Sequence, residues 1–95
     1  MKRADWTADA QADLAKIDDF YAETAPDYAD RVGDAALAAA RFLVEFPHAG
    51  ASIDVDDIRK WLVRATPYVL IYRPMSDTIQ ILRVRHMSED WQNEA

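Results

Sequence analysis

Residues 58–84, IRKWLVRATPYVLIYRPMSDTIQILRV, decide the fold. Three segments within them, IRKWLVR (58–64), PYVLIYR (67–73) and TIQILRV (78–84), are rich in Ile, Val, Leu and Tyr, the residues that suit a pleated and partly buried backbone. Ala65-Thr66 and Pro74-Met75-Ser76-Asp77 are short connections between them. Short connections join antiparallel neighbours, so the expectation is a three-stranded meander. PYVLIY is apolar at every position, which marks a central strand covered at least in part on both faces.

The chain before this region carries a different period. Residues 2–6 (KRADW) fit a short edge strand. Thr7 is a suitable N-cap, with Asp9 and Asp13 at the positive end of the helix it opens. Leu14, Ile17, Tyr21 and Ala25 recur at helical spacing, and this first helix is expected to run to about residue 24. Pro26 breaks that pattern and starts the next, in which Tyr28, Val32, Ala35, Ala36, Ala39, Phe42, Leu43 and Phe46 share a helical stripe. The alanines allow close approach of the two helices, and the aromatics at the far end are expected to fill a wider gap. Pro47 and Gly50 end the second helix, and PHAGASIDVDD (47–57) reads as a loop. The whole chain, 1–95, reads as a single α+β domain. A helical hairpin packs on one face of a small twisted antiparallel sheet, in the order β-α-α-β-β-β. The hairpin can cover one face only, so the other face is a candidate for function or for an interface.

The net charge of −6 conceals a division. Residues 1–57 hold five basic and thirteen acidic side chains, whereas residues 58–86 hold six basic (Arg59, Lys60, Arg64, Arg73, Arg83, Arg85) and one acidic (Asp77). Such asymmetry implies a bipolar surface whose basic pole meets nucleic acid or an acidic protein. With no cysteine, disulfides and thiolate metal sites are excluded, which fits a reducing cytoplasm. His48 and His86 are too few and too scattered for a metal site, and no cofactor is implied. The start, MKRADWTADAQADL, lacks the apolar segment of a signal peptide. No apolar run approaches the ~20 residues of a membrane span.

Several catalytic templates fail on residue type. Gly33 and Gly50 alone cannot build a glycine-rich phosphate loop. There is no Gly-x-Ser-x-Gly elbow. Asp54, Asp56 and Asp57 lack the longer pattern and central glycine of a calcium loop. Phosphodiester cleavage needs a base, an acid and cations for developing charge. Arg64, Arg73 and His86 are the candidates for part of such a set. The set has no evident acidic partner and only Lys60 as a lysine in the strand region, so the balance favours arginines that pair with carboxylates and a histidine that closes a strand.

The faces of the last strand separate its polar groups. Simple alternation puts Ile79, Ile81, Arg83 and Arg85 on one face and Gln80, Leu82, Val84 and His86 on the other. With tight two-residue turns, Arg64 and Arg73 join the face of His86, and Trp61, Tyr68 and Tyr72 join that of Arg83 and Arg85. A one-residue bulge would exchange these lists. Trp91, in MSEDWQNEA, either pins the tail to the sheet or anchors a partner.

These motifs together resemble the RelE/ParE superfamily of bacterial toxins. The resemblance rests on the strand–helix–helix–three-strand order, on DLAKIDDFYAETAPDYADR, EFPHAG and TPYVLIYR, and above all on ILRVRHMSEDW. It covers nearly the whole chain, and the ending is similar to that of the ParE branch. The resemblance implies the toxin of a type II toxin–antitoxin operon that causes growth arrest and is neutralised by a ParD-like antitoxin. It implies DNA gyrase as the target on the ParE side and ribosome-dependent mRNA cleavage on the RelE side, for which Arg64, Arg73 and Arg83 fall at sheet positions of the kind those nucleases use and would join His86 as the catalytic set. A non-toxic relative that only binds antitoxin is the third reading. The scarcity of lysines, the lack of a tyrosine after His86 and the acidic balance favour ParE and binding without chemistry. Arg59, Arg64, Arg73, Arg83, Arg85, His86 and Trp91 are then the partner-binding residues. Contact with DNA is expected only through the antitoxin, in a hetero-oligomer.

Overall fold

A computed structural model of the chain describes residues 2–53 and 56–88. The elements are β1 (Arg3–Trp6), α1 (Ala8–Tyr21), α2 (Pro26–Glu45), β2 (Ala51–Ser52), β3 (Arg59–Leu62), β4 (Tyr68–Pro74) and β5 (Thr78–His86). They form one five-stranded sheet in the order β1-β5-β4-β3-β2. The expected α+β architecture and the antiparallel meander β3-β4-β5 are present. Two features lie beyond the sequence expectation. The segment read as a loop contributes the two-residue strand β2, antiparallel to β3. The edge strand β1 pairs with β5 in parallel, so the sheet is mixed.

Helix α1 begins where β1 ends because Thr7 serves both elements. Its hydroxyl accepts from the Ala10 N–H at 3.1 Å, the expected N-cap bond, and donates to the Leu82 carbonyl at 3.1 Å. Its own N–H donates to the Ile81 carbonyl. The helix stops at Tyr21, earlier than its periodicity suggests. Helix α2 starts at Pro26, where a missing N–H costs nothing. It buries Ala29, Val32, Ala36, Ala39, Ala40 and Leu43 against the sheet and α1.

The core lies between the hairpin and the inward rows of the sheet. Leu70, Tyr72, Ile79, Ile81 and Val84 are all buried there with Leu43 and Val32. Each fully buried aliphatic side chain of this kind contributes roughly 1.5–3 kcal/mol. The aromatics at the end of α2 behave differently from expectation. Phe42 stays 41 % exposed and stacks on Trp61 at 5.1 Å, and Phe46 is exposed too, so neither fills an internal gap.

Tyr72 explains part of EFPHAG. Its buried hydroxyl donates to the Pro47 carbonyl at 2.8 Å and accepts from the Gly50 N–H at 2.9 Å. These bonds satisfy two backbone groups of the loop after α2. A Cβ on Gly50 would lie 2.6 Å from both the Lys60 carbonyl and the Tyr72 hydroxyl, so only glycine fits. Burial pushes the Tyr72 hydroxyl pKa up, and it stays a neutral donor at neutral pH.

Candidate partner interface

The last third of β5 is built by an interruption. Opposite β4, Ile71 pairs with Arg83 and Tyr72 pairs with Ile81, so Leu82 is the extra residue of a β-bulge. The bulge changes the phase of side-chain alternation. Ile79 and Ile81 before it, and Val84 and His86 after it, stand in the rows of Pro74, Tyr72, Leu70 and Tyr68. Arg83 and Arg85 stand in the rows of Ile71 and Val69, which lie outside the helix-side core. Simple alternation therefore misplaced half of the strand. Trp61, Tyr68 and Tyr72 share the rows of Val84, His86 and Ile81, while Arg73, beside Gln80, belongs with Arg83 and Arg85.

Past Ile81, β5 loses its strand neighbour because β1 turns into α1. Helix α1 supplies the missing partner through Asp13. This carboxylate, only 8 % exposed, accepts from the Val84 N–H at 2.9 Å. It also accepts two bonds from Arg83, from Nε at 2.8 Å and from Nη2 at 2.9 Å. The bidentate geometry is that of a strong charge-assisted pair. Burial alone would push the Asp13 carboxyl up. The bonds from Arg83 and Val84, with the charges of Arg83 and Arg85, outweigh it and hold its pKa below the ordinary range. The sequence assigned Asp13 to the helix dipole; its main work is to join α1 to β5.

Around this joint lies a cleft lined by Lys16, Phe20, Tyr21, Tyr68, Arg85 and His86, with the Asp13–Arg83 pair at its side. The His86 ring stands edge-on to Tyr68 at 5.3 Å. Its Nδ1 accepts from the Ser88 N–H at 3.1 Å, and the Ser88 hydroxyl lies 2.6 Å away. A backbone N–H can only donate, so Nδ1 carries the lone pair and the neutral ring holds its proton on Nε2. Such a ring is set to donate from Nε2 rather than to accept there.

The sequence-predicted residues divide into groups. Arg83, Arg85 and His86 come together at this basic end. Arg59 does not join them. Its guanidinium donates to the Asp57 carboxylate at 2.8 Å and to the carbonyls of His48 and Gly50, and so braces the loop after α2. Arg64 is exposed in the β3–β4 turn and borders a separate apolar groove with Ala35, Ala38, Phe42 and Trp61. Arg73 sits beside Gln80, six residues from His86 along β5, or about 20 Å at ~3.3 Å per residue. Arg64, Arg73, Arg83 and His86 thus do not form one constellation. Trp91 lies outside the described residues. No helix among the described residues is long and apolar enough to cross a membrane.

The described residues thus form a helical hairpin on a five-stranded mixed sheet, with Arg83 and Arg85 gathered at the end of the last strand. A family model described as the ParE toxin of the parDE type II toxin–antitoxin system matches residues 4–91. Toxin RelE2 of Caulobacter vibrioides is 34 % identical over 86 residues, which cover 90 % of this chain and 96 % of the relative. The solved chromosomal ParDE toxin–antitoxin system of P. aeruginosa contains a chain that superposes with a TM-score of 0.78 at 27 % identity. That match covers 90 % of this chain and 96 % of the other. The chain belongs to the ParE toxin family, within the RelE/ParE superfamily, and is a toxin of the type II toxin–antitoxin class.

Proposed function

We propose that this toxin arrests growth by binding DNA gyrase in the cytoplasm, without chemistry of its own. We also propose that a ParD-like antitoxin neutralises it by covering the basic end of β5. The observation that carries this reading is the scatter of the residues phosphodiester cleavage would need. Arg73 is held about 20 Å from His86 along the strand, and Arg64 faces the α2 groove. What does converge is a cationic end with apolar walls, suited to an acidic segment that also buries apolar side chains. Such a segment would add a strand or a helix and produce a hetero-oligomer, with DNA contact made by the antitoxin.

The second reading, a ribosome-dependent endoribonuclease, draws on the RelE-type name of the Caulobacter relative and on the meeting of Arg83, Arg85 and His86. Induction of the chain alone separates the two. Filamentous arrest, loss of negative supercoiling and intact mRNA support the gyrase reading. New codon-phased mRNA ends with unaltered supercoiling overturn it. No growth defect leaves a relative that only binds antitoxin.

A further inference from the structure

Among the described residues, β1 closes the sheet on one side, and the bonds at its end show which of its backbone groups face outward. The Thr7 N–H donates to the Ile81 carbonyl, so position 7 points toward β5. Backbone direction alternates along a strand, so Arg3 and Asp5 point the same way, while Ala4 and Trp6 point to the open edge. The Trp6 carbonyl confirms this direction, because it accepts from the Gln11 side chain at 2.9 Å. The Ala4 N–H, the Ala4 carbonyl and the Trp6 N–H have no hydrogen-bond partner among the described residues. Three such groups within one short edge strand are a template for an added strand.

Beside that edge runs a groove between β1 and α2. Trp6, Leu37 and Val44 form its apolar walls, and Leu37 is 45 % exposed. Lys2, Arg3 and Arg41 stand along it, and Glu45 is the one carboxylate that lines it among the described residues. Three of the five basic side chains in residues 1–57 are thus collected here, in the acidic part of the chain. Arg3 pairs with Asp5 at 2.7 Å, whereas Lys2, Arg41 and Glu45 form no ion pair among the described residues. By alternation Lys2 shares the row of Ala4 and Trp6, which packs toward the core and α2, so it faces the groove with Arg41.

We propose that this edge takes an extended acidic segment of the antitoxin as an added strand. The segment's backbone pairs with Ala4 and Trp6. Its alternate apolar side chains enter the groove against Trp6 and Leu37, and its carboxylates meet Lys2 and Arg41. Charge decides the occupant: a second copy of the chain would bring a second Lys2, Arg3 and Arg41 against the first set. The inference rests on the antitoxin reading and extends it beyond the basic end of β5. Trp6 stands opposite Ile81, and Arg85 lies four residues further along β5, about 13 Å at ~3.3 Å per residue, so one antitoxin chain reaches both sites.

The test uses the full toxin and the cognate ParD-like antitoxin. Hydrogen exchange followed by NMR reads the edge directly. In the toxin alone, the Ala4 and Trp6 amides are expected to exchange at least tenfold faster than the Asp5 amide, and in the complex they become as slow as Asp5. Ala4→Pro removes the outward N–H and leaves the ladder to β5 intact, so the variant is expected to fold and to bind the antitoxin about tenfold more weakly in titration calorimetry. Arg41→Glu, on the exposed face of α2, should weaken binding about tenfold at low salt and less at high salt, and it serves even where Ala4→Pro does not fold. Edge amides that stay fast in the complex, or folded variants that bind like the wild type, overturn the inference and leave the basic-end reading standing. Protected edge amides with an affinity indifferent to Arg85→Ala uphold the edge and overturn the basic-end reading. Protection of the edge in the toxin alone, together with a doubled mass, assigns it to a second copy and overturns the inference. An antitoxin that does not bind the wild type overturns both.

Discussion

Replacing Asp13 with alanine removes the carboxylate that joins α1 to the unpaired edge of β5. Three bonds disappear, one from the Val84 N–H and two from Arg83. The buried N–H loses its acceptor where water cannot replace it, at a cost of about 1–3 kcal/mol. The Arg83 side chain is 34 % exposed and rehydrates, so its share is small, about 0–1 kcal/mol. The expected destabilisation is therefore ~1–4 kcal/mol, which at about 4–8 °C per kcal/mol corresponds to a fall in Tm of at least several degrees for a domain of this size. Urea unfolding followed by tryptophan fluorescence measures it, with Asp13→Asn as the control that keeps an acceptor for Val84. The pH dependence gives an independent check. The folded pKa of Asp13 lies below its ordinary 3.8, so the group's stabilisation is complete above about pH 4 and is lost as pH falls through the folded pKa. The gap between wild type and Asp13→Asn should accordingly narrow below that pH. An Asp13→Ala variant within 0.5 kcal/mol of wild type, a margin of about the size expected for surface changes, would refute the account of this joint.

Tyr72→Phe should destabilise the protein by about 1–3 kcal/mol, because the buried Gly50 N–H and the Pro47 carbonyl lose their partner; thermal melting reads this directly. Gly50→Ala should be at least as severe, since the new methyl meets the backbone at Lys60, and soluble yield together with Tm will show it. Arg59→Ala should lower stability while leaving antitoxin affinity unchanged, as its guanidinium is committed to the loop after α2. Arg85→Ala should do the converse, weakening a ParD-like antitoxin by about tenfold at low salt and less at high salt in titration calorimetry.

How much of the molecule its sequence discloses depends on the range of the interactions involved. Thr7 as N-cap, Pro26 as a helix start and the three strands after residue 58 are local choices of backbone and side chain, and all were legible. The charge division between the two parts of the chain was legible too, because composition alone carries it. By contrast, the pairing of Asp13 with Arg83 spans 70 positions and leaves no periodic mark. Gly50 could be read as a helix stop, but the reason only glycine fits there is the hydroxyl of Tyr72, 22 positions away.

The sequence by itself determined the order of elements, the helix boundaries set by Thr7 and Pro26, and the existence of a basic region in an acidic chain. Only the tertiary structure decided what that region is. The bulge at Leu82 shifted the phase of β5 and sent Arg83 and Arg85 to the row opposite His86. The pairing of β4 with β5 set Arg73 at the far end from His86, and the Asp57–Arg59 brace withdrew Arg59 from the surface charge. The physical reason is that a strand's side chains have a period of two, so one inserted residue reverses every later assignment without altering the composition that betrays a strand.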